Sequence, residues 1–308
     1  MIKKAGHCAS FFIKGGVIML ARIEEVLNKI ISLLEKGELP WKKGWITQKP
    51  YNPISKYEYT GFNRWYLSYI TEEQGYSINK WATFKQIKEK GGIVKKGAKS
   101  QPIIFFTLIQ KEIKPEDNKE EPEIKVFPYV RYYNVFNLED TTLFEEYKDT
   151  QNNDKPIERC EEFIHRINPV IKHGGDKAYY NITKDEIHLP LFENFVDAAA
   201  YYSTLFHELA HWTGHKSRLD RFQGHVEFGS LEYAKEELIA EFTNAFLCTE
   251  FSMENKQIQN SAAYIQSWLE VLKRDKRNLV YASSKAEQAY RFLLAEAGML
   301  NAENKEVA

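Results

Sequence analysis

Phe206-His207-Glu208-Leu209-Ala210-His211-Trp212 decides how the rest of the chain is read. Alanines and leucines surround it, so the run belongs inside a helix. Residues four apart on a helix share a face. His207 and His211 can therefore hold one ion together, and Glu208, one step round, can reach a water beside it. Neutral imidazoles at this spacing suit Zn²⁺, or another divalent ion, and a site with three protein ligands keeps a fourth position for water. Such an ion lowers the pKa of that water toward ~7, and a glutamate takes its proton as general base.

A chance pentapeptide with two surface histidines is the plain alternative. Against it, Ala198-Ala199-Ala200 and Leu205-Phe206 precede the run with core-type residues. Gly214 follows, where a helix commonly ends. The pattern is that of the zincins, whose usual reaction is peptide-bond hydrolysis. The metzincin extension needs a third histidine at position 217, where Ser217 stands, and His215 is displaced by two. The gluzincin type instead takes a glutamate from a later helix. Ser230 is a good N-cap, and Leu231, Ala234, Leu238, Phe242 and Ala245 then mark an apolar face at helical spacing. Glu237 and Glu241 lie beside that face, one turn apart, where unpartnered carboxylates are costly. Glu237 is the expected third ligand, with Glu241 orienting a ligand histidine from outside, and the exchange of these two roles stays open. Glu236 is expected to face solvent.

The 308 residues allow two domains of ordinary size. There is no run of eighteen apolar residues, so no membrane span is expected. Cys8, Cys160 and Cys248 are odd in number and widely spaced, which suits a reducing cytoplasm rather than a disulfide framework. Near the start, Phe11-Phe12-Ile13 is broken by Lys14-Gly15-Gly16 and no clear small-x-small site follows, so secretion is not expected. Met19 is an alternative translation start.

The net charge of −1 hides an asymmetry. Residues 1–150 carry 24 lysines and arginines against 19 acids, and residues 151–308 carry 18 against 24. Within 36–111 the balance is 14 against 5. A basic module joined to an acidic one suggests two different partners. The basic module opens with an amphipathic helix over 20–35. Aromatic, turn-rich chain follows, with Trp41, Trp45, Tyr51, Tyr57 and Tyr59. Helices are expected over 62–73 and from Thr83 to Gly91-Gly92, then strands over 102–109 and 126–136 around a solvated charged loop. Lysines meeting phosphates and rings stacking on unpaired bases are what a single strand needs. Composition alone makes this a weak signal, because such aromatics are as often core.

Several segments together are more specific. Asn52-Pro53-Ile54-Ser55, Tyr59-Thr60-Gly61-Phe62-Asn63, Trp81-Ala82-Thr83-Phe84-Lys85-Gln86, Gly91 through Lys99, and Tyr133-Asn134-Val135-Phe136-Asn137 resemble the N-terminal domain of ArdC-type antirestriction proteins. Ala178-Tyr179-Tyr180-Asn181, Asp185 through Pro190, and Tyr233 through Glu241 resemble that family's zincin-like peptidase domain. The resemblance covers nearly the whole chain beyond Leu20, with the motifs in the same order. It implies an α+β protein of two domains, a single-stranded-DNA-binding module over 20–145 and a mainly helical metallopeptidase-like module over 156–302. It further implies a protein of mobile genetic elements that protects incoming DNA from restriction during conjugation. Candidate DNA contacts are Trp45, Tyr51, Asn52, Asn63, Trp81, Lys85, Lys95, Lys96 and Lys99. The family's turn usually carries glycine where Lys56 stands.

Residues 143–156 read as the linker, 157–167 as a helix, and 178–181 with 186–189 as a hairpin able to align an extended peptide. Helices are expected over 242–251, 257–273 and 285–300. Tyr281 and Tyr290 could face a substrate oxyanion, with packed tyrosines as the alternative. The sequence reading is thus a Zn²⁺-dependent peptidase acting on an unidentified protein or peptide near bound DNA. Its rivals are a DNA-shielding protein with a structural metal, a DNA-processing transfer enzyme, and a peptidase whose basic module binds acidic protein.

Overall fold

The computed structural model describes residues 14–37, 48–113, 123–148, 155–222, 230–253, 255 and 261–300. The chain opens with helix α1 (Lys14–Glu35), then a two-residue ladder of β1 (Tyr51–Asn52) and β2 (Tyr57–Glu58), and helix α2 (Gly61–Gln74). Lys56, in the turn between β1 and β2, has φ +58°. This left-handed conformation is unhindered only for glycine, which accounts for the glycine expected there. Asn52 builds the same turn, its Oδ1 accepting from the Ile54 and Ser55 N–H groups at 3.1 Å each.

Strand β3 (Trp81–Thr83) runs into helix α3 (Phe84–Glu89), and a long hairpin of β4 (Gln101–Ile113) and β5 (Glu123–Asn137) follows. Thr83 caps α3 in a reciprocal box with Gln86, as Thr-x-x-Gln predicts. Each hairpin strand extends beyond its expected span toward the charged loop. The sheet order is β3-β5-β4, all antiparallel, with Ala82 opposite Phe136 and Ile103 opposite Tyr133. β4 lies at the edge, and Asn63 of α2 caps it: Asn63 Nδ2 donates to the Ile104 carbonyl at 2.5 Å, and the Ile104 N–H donates to Asn63 Oδ1 at 2.9 Å. One side chain thereby mimics the next strand and satisfies the edge locally.

The expected linker contains a short helix, α4 (Phe144–Tyr147); helix α5 (Pro156–Ile167) begins the second half. Strands β6 (Ile171–His173), β7 (Tyr179–Asn181) and β8 (Glu186–Leu189) form a small sheet in the order β6-β8-β7, with β8 parallel to β6 and antiparallel to β7. The helices α6 (Ala198–Thr213), α7 (Leu231–Glu250), α8 (Ser261–Arg274) and α9 (Arg277–Glu296) follow among the described residues. Asp197 caps α6 through the Ala200 N–H at 2.9 Å, and Ser230 caps α7 through the Tyr233 N–H at 3.1 Å. The two segments expected over 230–241 and 242–251 are one continuous helix, since nothing in Glu241-Phe242-Thr243 breaks helical propensity.

One hydrophobic core runs through both halves. The Trp65 ring meets the Phe242 ring edge-on at 5.6 Å. Beside it, the Arg64 guanidinium lies between the rings of Phe246 (4.5 Å) and Tyr290 (4.1 Å) and donates to the Phe246 carbonyl at 3.1 Å. Glu287 faces Arg64 at 3.6 Å and accepts from the Gly61 N–H at 3.2 Å. Helix α2 of the basic module is therefore built into the α7–α9 layer. A smaller core of Ile78, Ala82, Ile87, Leu138 and Leu143 belongs to the first half alone.

Candidate metal centre and nucleic-acid face

Helices α6 and α7 pack so that His207, His211 and Glu237, all buried, offer donor atoms within 4.8 Å of one another. His207 Nε2 lies 3.1 Å from His211 Nε2, 3.3 Å from Glu237 Oε2, and His211 Nε2 lies 3.5 Å from Glu237 Oε1. Donors bound tetrahedrally at about 2.0–2.1 Å stand about 3.4 Å apart, so these edges fit one small divalent ion. Each histidine turns its other nitrogen to a further carboxylate of α7. His207 Nδ1 is 3.6 Å from Glu241 Oε1, and His211 Nδ1 is 3.4 Å from Glu236 Oε1.

Glu236 thus corrects the sequence expectation. It is buried, and Arg221 holds it through two hydrogen bonds of 3.0 and 2.7 Å. His211 lies one turn beyond His207, so the residue before Glu237 meets the second histidine rather than water. Glycine at 214 is needed for another reason than a left-handed cap. Its φ is −76°, but an added Cβ would lie 2.6 Å from the Phe222 ring and 3.0 Å from Arg221 Nη2. The returning loop leaves no room for a side chain.

Charge and burial oppose one another throughout the site. Burial lowers the affinity of His207 for a proton, but Glu237, Glu241 and Glu208 outweigh it and hold its pKa at about 9. Burial would raise Glu237, yet His211, His207 and the Tyr233 hydroxyl bring it down to about 2. Burial raises Glu208 above the ordinary carboxylate range; the two histidines and the Tyr180 backbone N–H temper that rise. A carboxylate raised in this way is a stronger proton acceptor than an ordinary surface carboxylate. Because a metal needs neutral imidazoles, its binding expels the protons that these acids attract.

The second wall of the site was not legible in sequence. Tyr233 of α7 and Tyr264 of α8 pair at 3.1 Å between hydroxyls, and Tyr264 lies within the field of Glu237, Glu208 and Glu241. Tyr281 is half exposed beside Lys285. Tyr290 is packed in the joint with α2 and bonded to Glu250, so the packed-tyrosine alternative holds for it.

The candidate DNA contacts divide differently. Trp45 lies outside the described residues. Trp81 is fully buried, its indole N–H given to Asn79 Oδ1 at 2.8 Å, so it cannot stack on a base. Asn52 and Asn63 are likewise buried and spend their amides on the β1–β2 turn, Gln86 and the sheet edge. In all three, burial corrects the expectation of direct contact. Tyr51 is half-buried, whereas Lys85, Lys95, Lys96 and Lys99 are exposed. Among the described residues of this half, the large exposed rings are Phe84, Phe105 and Tyr133. Phe105 and Tyr133 sit edge to face at 6.3 Å.

An HExxH helix over a small sheet, completed by a glutamate from the following helix, defines a zincin-like domain, here behind a basic α+β module. The comparisons agree. A zincin-like metallopeptidase family model matches residues 158–285, and the model for the N-terminal domain of anti-restriction factor ArdC matches 21–136. The crystal structure of a plasmid's antirestriction protein ArdC, metal-free, superposes with a TM-score of 0.75 at 37% identity, covering 90% of this chain and 98% of that one. Its Mn(II)-bound structure gives 0.71 at 35%, with the same coverage. An uncharacterised protein of Sinorhizobium fredii, y4eC, is 33% identical over 86% of this chain and 89% of its own. A DNA primase TraC of Escherichia coli is 34% identical over 88% of this chain, which spans only 27% of that protein's length. The chain belongs to the ArdC family of antirestriction-type proteins. The family and the donor set indicate a divalent metal. Among the described residues, no helix is long and apolar enough to cross a membrane.

Proposed function

We propose that this protein binds single-stranded DNA through its basic module and hydrolyses peptide bonds at a site of His207, His211 and Glu237, thereby protecting DNA entering a restricting cell. The observation that carries the catalytic half is Glu208, buried beside three converging donors, where burial raises its affinity for a proton. When bound, a divalent ion (Zn²⁺ by the chemistry of the donor set) supplies Lewis acidity and a water of lowered pKa. His207, His211 and Glu237 would hold it, with Glu241 and Glu236 behind the two rings. Glu208 takes the water's proton and returns it to the leaving amine. Tyr180, whose backbone N–H reaches Glu208, belongs to the strand β7 along which an extended substrate segment pairs.

The DNA half rests on Lys85, Lys95, Lys96 and Lys99 together with the exposed rings of Phe84, Phe105 and Tyr133. Cys160 and Cys248 are buried free thiols, in keeping with a cytoplasmic protein. The domain limits we assign are 20–145 and 156–302. A purely structural metal is the second reading, favoured by a donor set drawn from two packed helices, α6 and α7.

Conjugative transfer of unmodified DNA into a restricting recipient separates the two. Wild type protects, and Glu208→Gln, folded and still binding metal, does not. Equal protection by both proteins would end the hydrolytic reading and leave DNA binding as the mechanism.

A further inference from the structure

The loop after α6 carries two arginines three residues apart; both donate to carbonyls at the end of α6, Arg218 Nε to Trp212 at 2.6 Å, but only Arg221 also holds a carboxylate beside the histidines. Arg218 stacks on Trp212 at 3.8 Å and pairs with Asp185, which also accepts from the Tyr180 hydroxyl at 2.7 Å. It anchors the turn between β7 and β8. Arg221 folds back beneath the end of α6. Its Nη1 donates to Thr213 Oγ1 at 2.7 Å and its Nη2 to the Ala210 carbonyl at 2.7 Å. The same guanidinium forks onto both oxygens of Glu236, and the two side chains are only 7% and 10% exposed.

We propose that Arg221 is a positioning residue of the metal centre: by fixing Glu236 against His211 Nδ1, it sets the ring so that Nε2 meets Glu237 and His207. This rests on the metal site proposed above. Glu236 and Glu237 are adjacent on one helix and both reach His211, at 3.4 and 3.5 Å. A glutamate side chain with free torsions beside such a site would compete for the ion. The arginine fork removes that freedom, since a planar guanidinium matches a carboxylate at two points. It thereby separates the roles of two neighbouring acids, one turned to the ion and one to the ring behind it. The guanidinium also offsets one charge among Glu208, Glu236, Glu237 and Glu241, four acids gathered around two histidines.

The test is titration of the full chain with Zn²⁺ and with Mn²⁺, in competition with a chromophoric chelator. Arg221→Met and Glu236→Gln should each weaken binding about 10- to 100-fold, the range for partners behind a ligand. Arg221→Lys should recover part of that loss. Arg218→Met, from the same loop, should change affinity less than about threefold. Circular dichroism and the melting of the metal-free variants establish that they are folded. If Arg221→Met fails to fold, the near-isosteric Glu236→Gln decides alone. Wild-type affinity in folded Arg221→Met and Glu236→Gln would overturn the proposal, as would an equal loss in Arg218→Met. Wild type that binds neither ion would remove the metal centre itself, a different failure from an unchanged Arg221→Met.

Discussion

The metal centre and the basic face are opposite kinds of site. At the metal centre, two capped helices present five acidic and imidazole groups to one another within hydrogen-bonding or ion-pair reach, all buried. On the basic face, lysines lie exposed on a short helix and a turn, and two already have surface partners: Lys85 faces Glu89 at 3.7 Å, and Lys95 Nζ donates to the Glu139 carbonyl at 2.8 Å. Burial makes each group at the first site indispensable to its neighbour, because an unpaired charge there has no water to turn to. Exposure makes each lysine at the second nearly interchangeable. Single substitutions should therefore act steeply at one site and additively at the other.

The steepest case is a ligand itself. His207→Ala or Glu237→Ala should lower metal affinity beyond the roughly 100-fold that bounds a supporting partner, while Glu241→Ala stays within that range. Chelator competition measures all three. If Glu241→Ala is the larger loss, the third ligand and the supporting carboxylate exchange roles. Binding of a labelled oligonucleotide should be unchanged in each variant.

The joint between the regions should come next. Arg64→Met removes a buried cation from between two rings and from Glu287, and should destabilise the chain by about 3 kcal/mol. Thermal melting should still show one transition, because Trp65 and Phe242 belong to one core. Two separated transitions in wild type would show instead that the halves fold independently.

That joint also marks how far the sequence could be read. His207, Glu208 and His211 could be placed together because helical periodicity converts spacing directly into a shared face, whereas the following helix offered Glu237 and Glu241 without deciding between them. Thr83 and Ser230 were legible as caps for the same local reason. Glu236 was misread because its burial depends on where α7 crosses α6, which spacing along one helix does not encode. Arg221, Tyr264 and Arg64 act across loops and between helices, so nothing near them in sequence announces their partners. Trp81 shows the converse error: an aromatic within a lysine-rich stretch looked like a stacking platform, yet its ring, although on an edge strand, turns into the core. Lys56 is intermediate, since the glycine expected at that turn becomes intelligible only from its positive φ.

Acid should loosen the same joint. Burial pushes Glu250 upward, but Lys49, the Tyr290 hydroxyl and Arg64 outweigh it and hold its pKa below the ordinary 4.5. A carboxylate depressed in the folded state contributes stability that is complete above its unfolded value and lost as pH falls through the folded one. Urea midpoints taken downward from pH 4.5 should therefore decline more steeply in wild type than in Glu250→Gln. Parallel declines would place the acid sensitivity elsewhere.

The smallest effects per residue belong to the lysines, and they test the contrast most sharply. A lysine that meets one phosphate of a single strand releases about 0.7 counterion, so its removal lowers the salt slope of binding by about 0.7. Lys95→Ala, Lys96→Ala and Lys99→Ala combined should lower it by about 2, in roughly equal steps, when an oligonucleotide is titrated by fluorescence anisotropy at several salt concentrations. Phe105→Ala and Tyr133→Ala should instead cost about 1–3 kcal/mol each if their rings stack on bases, with little change in slope. Trp81→Phe should destabilise the fold while leaving the slope intact, since a buried ring releases no counterions. A slope carried wholly by one lysine would break the comparison, because it would mean that the basic face holds a phosphate in a built site rather than through a diffuse field. An unchanged slope in the triple variant would move the strand off this face altogether.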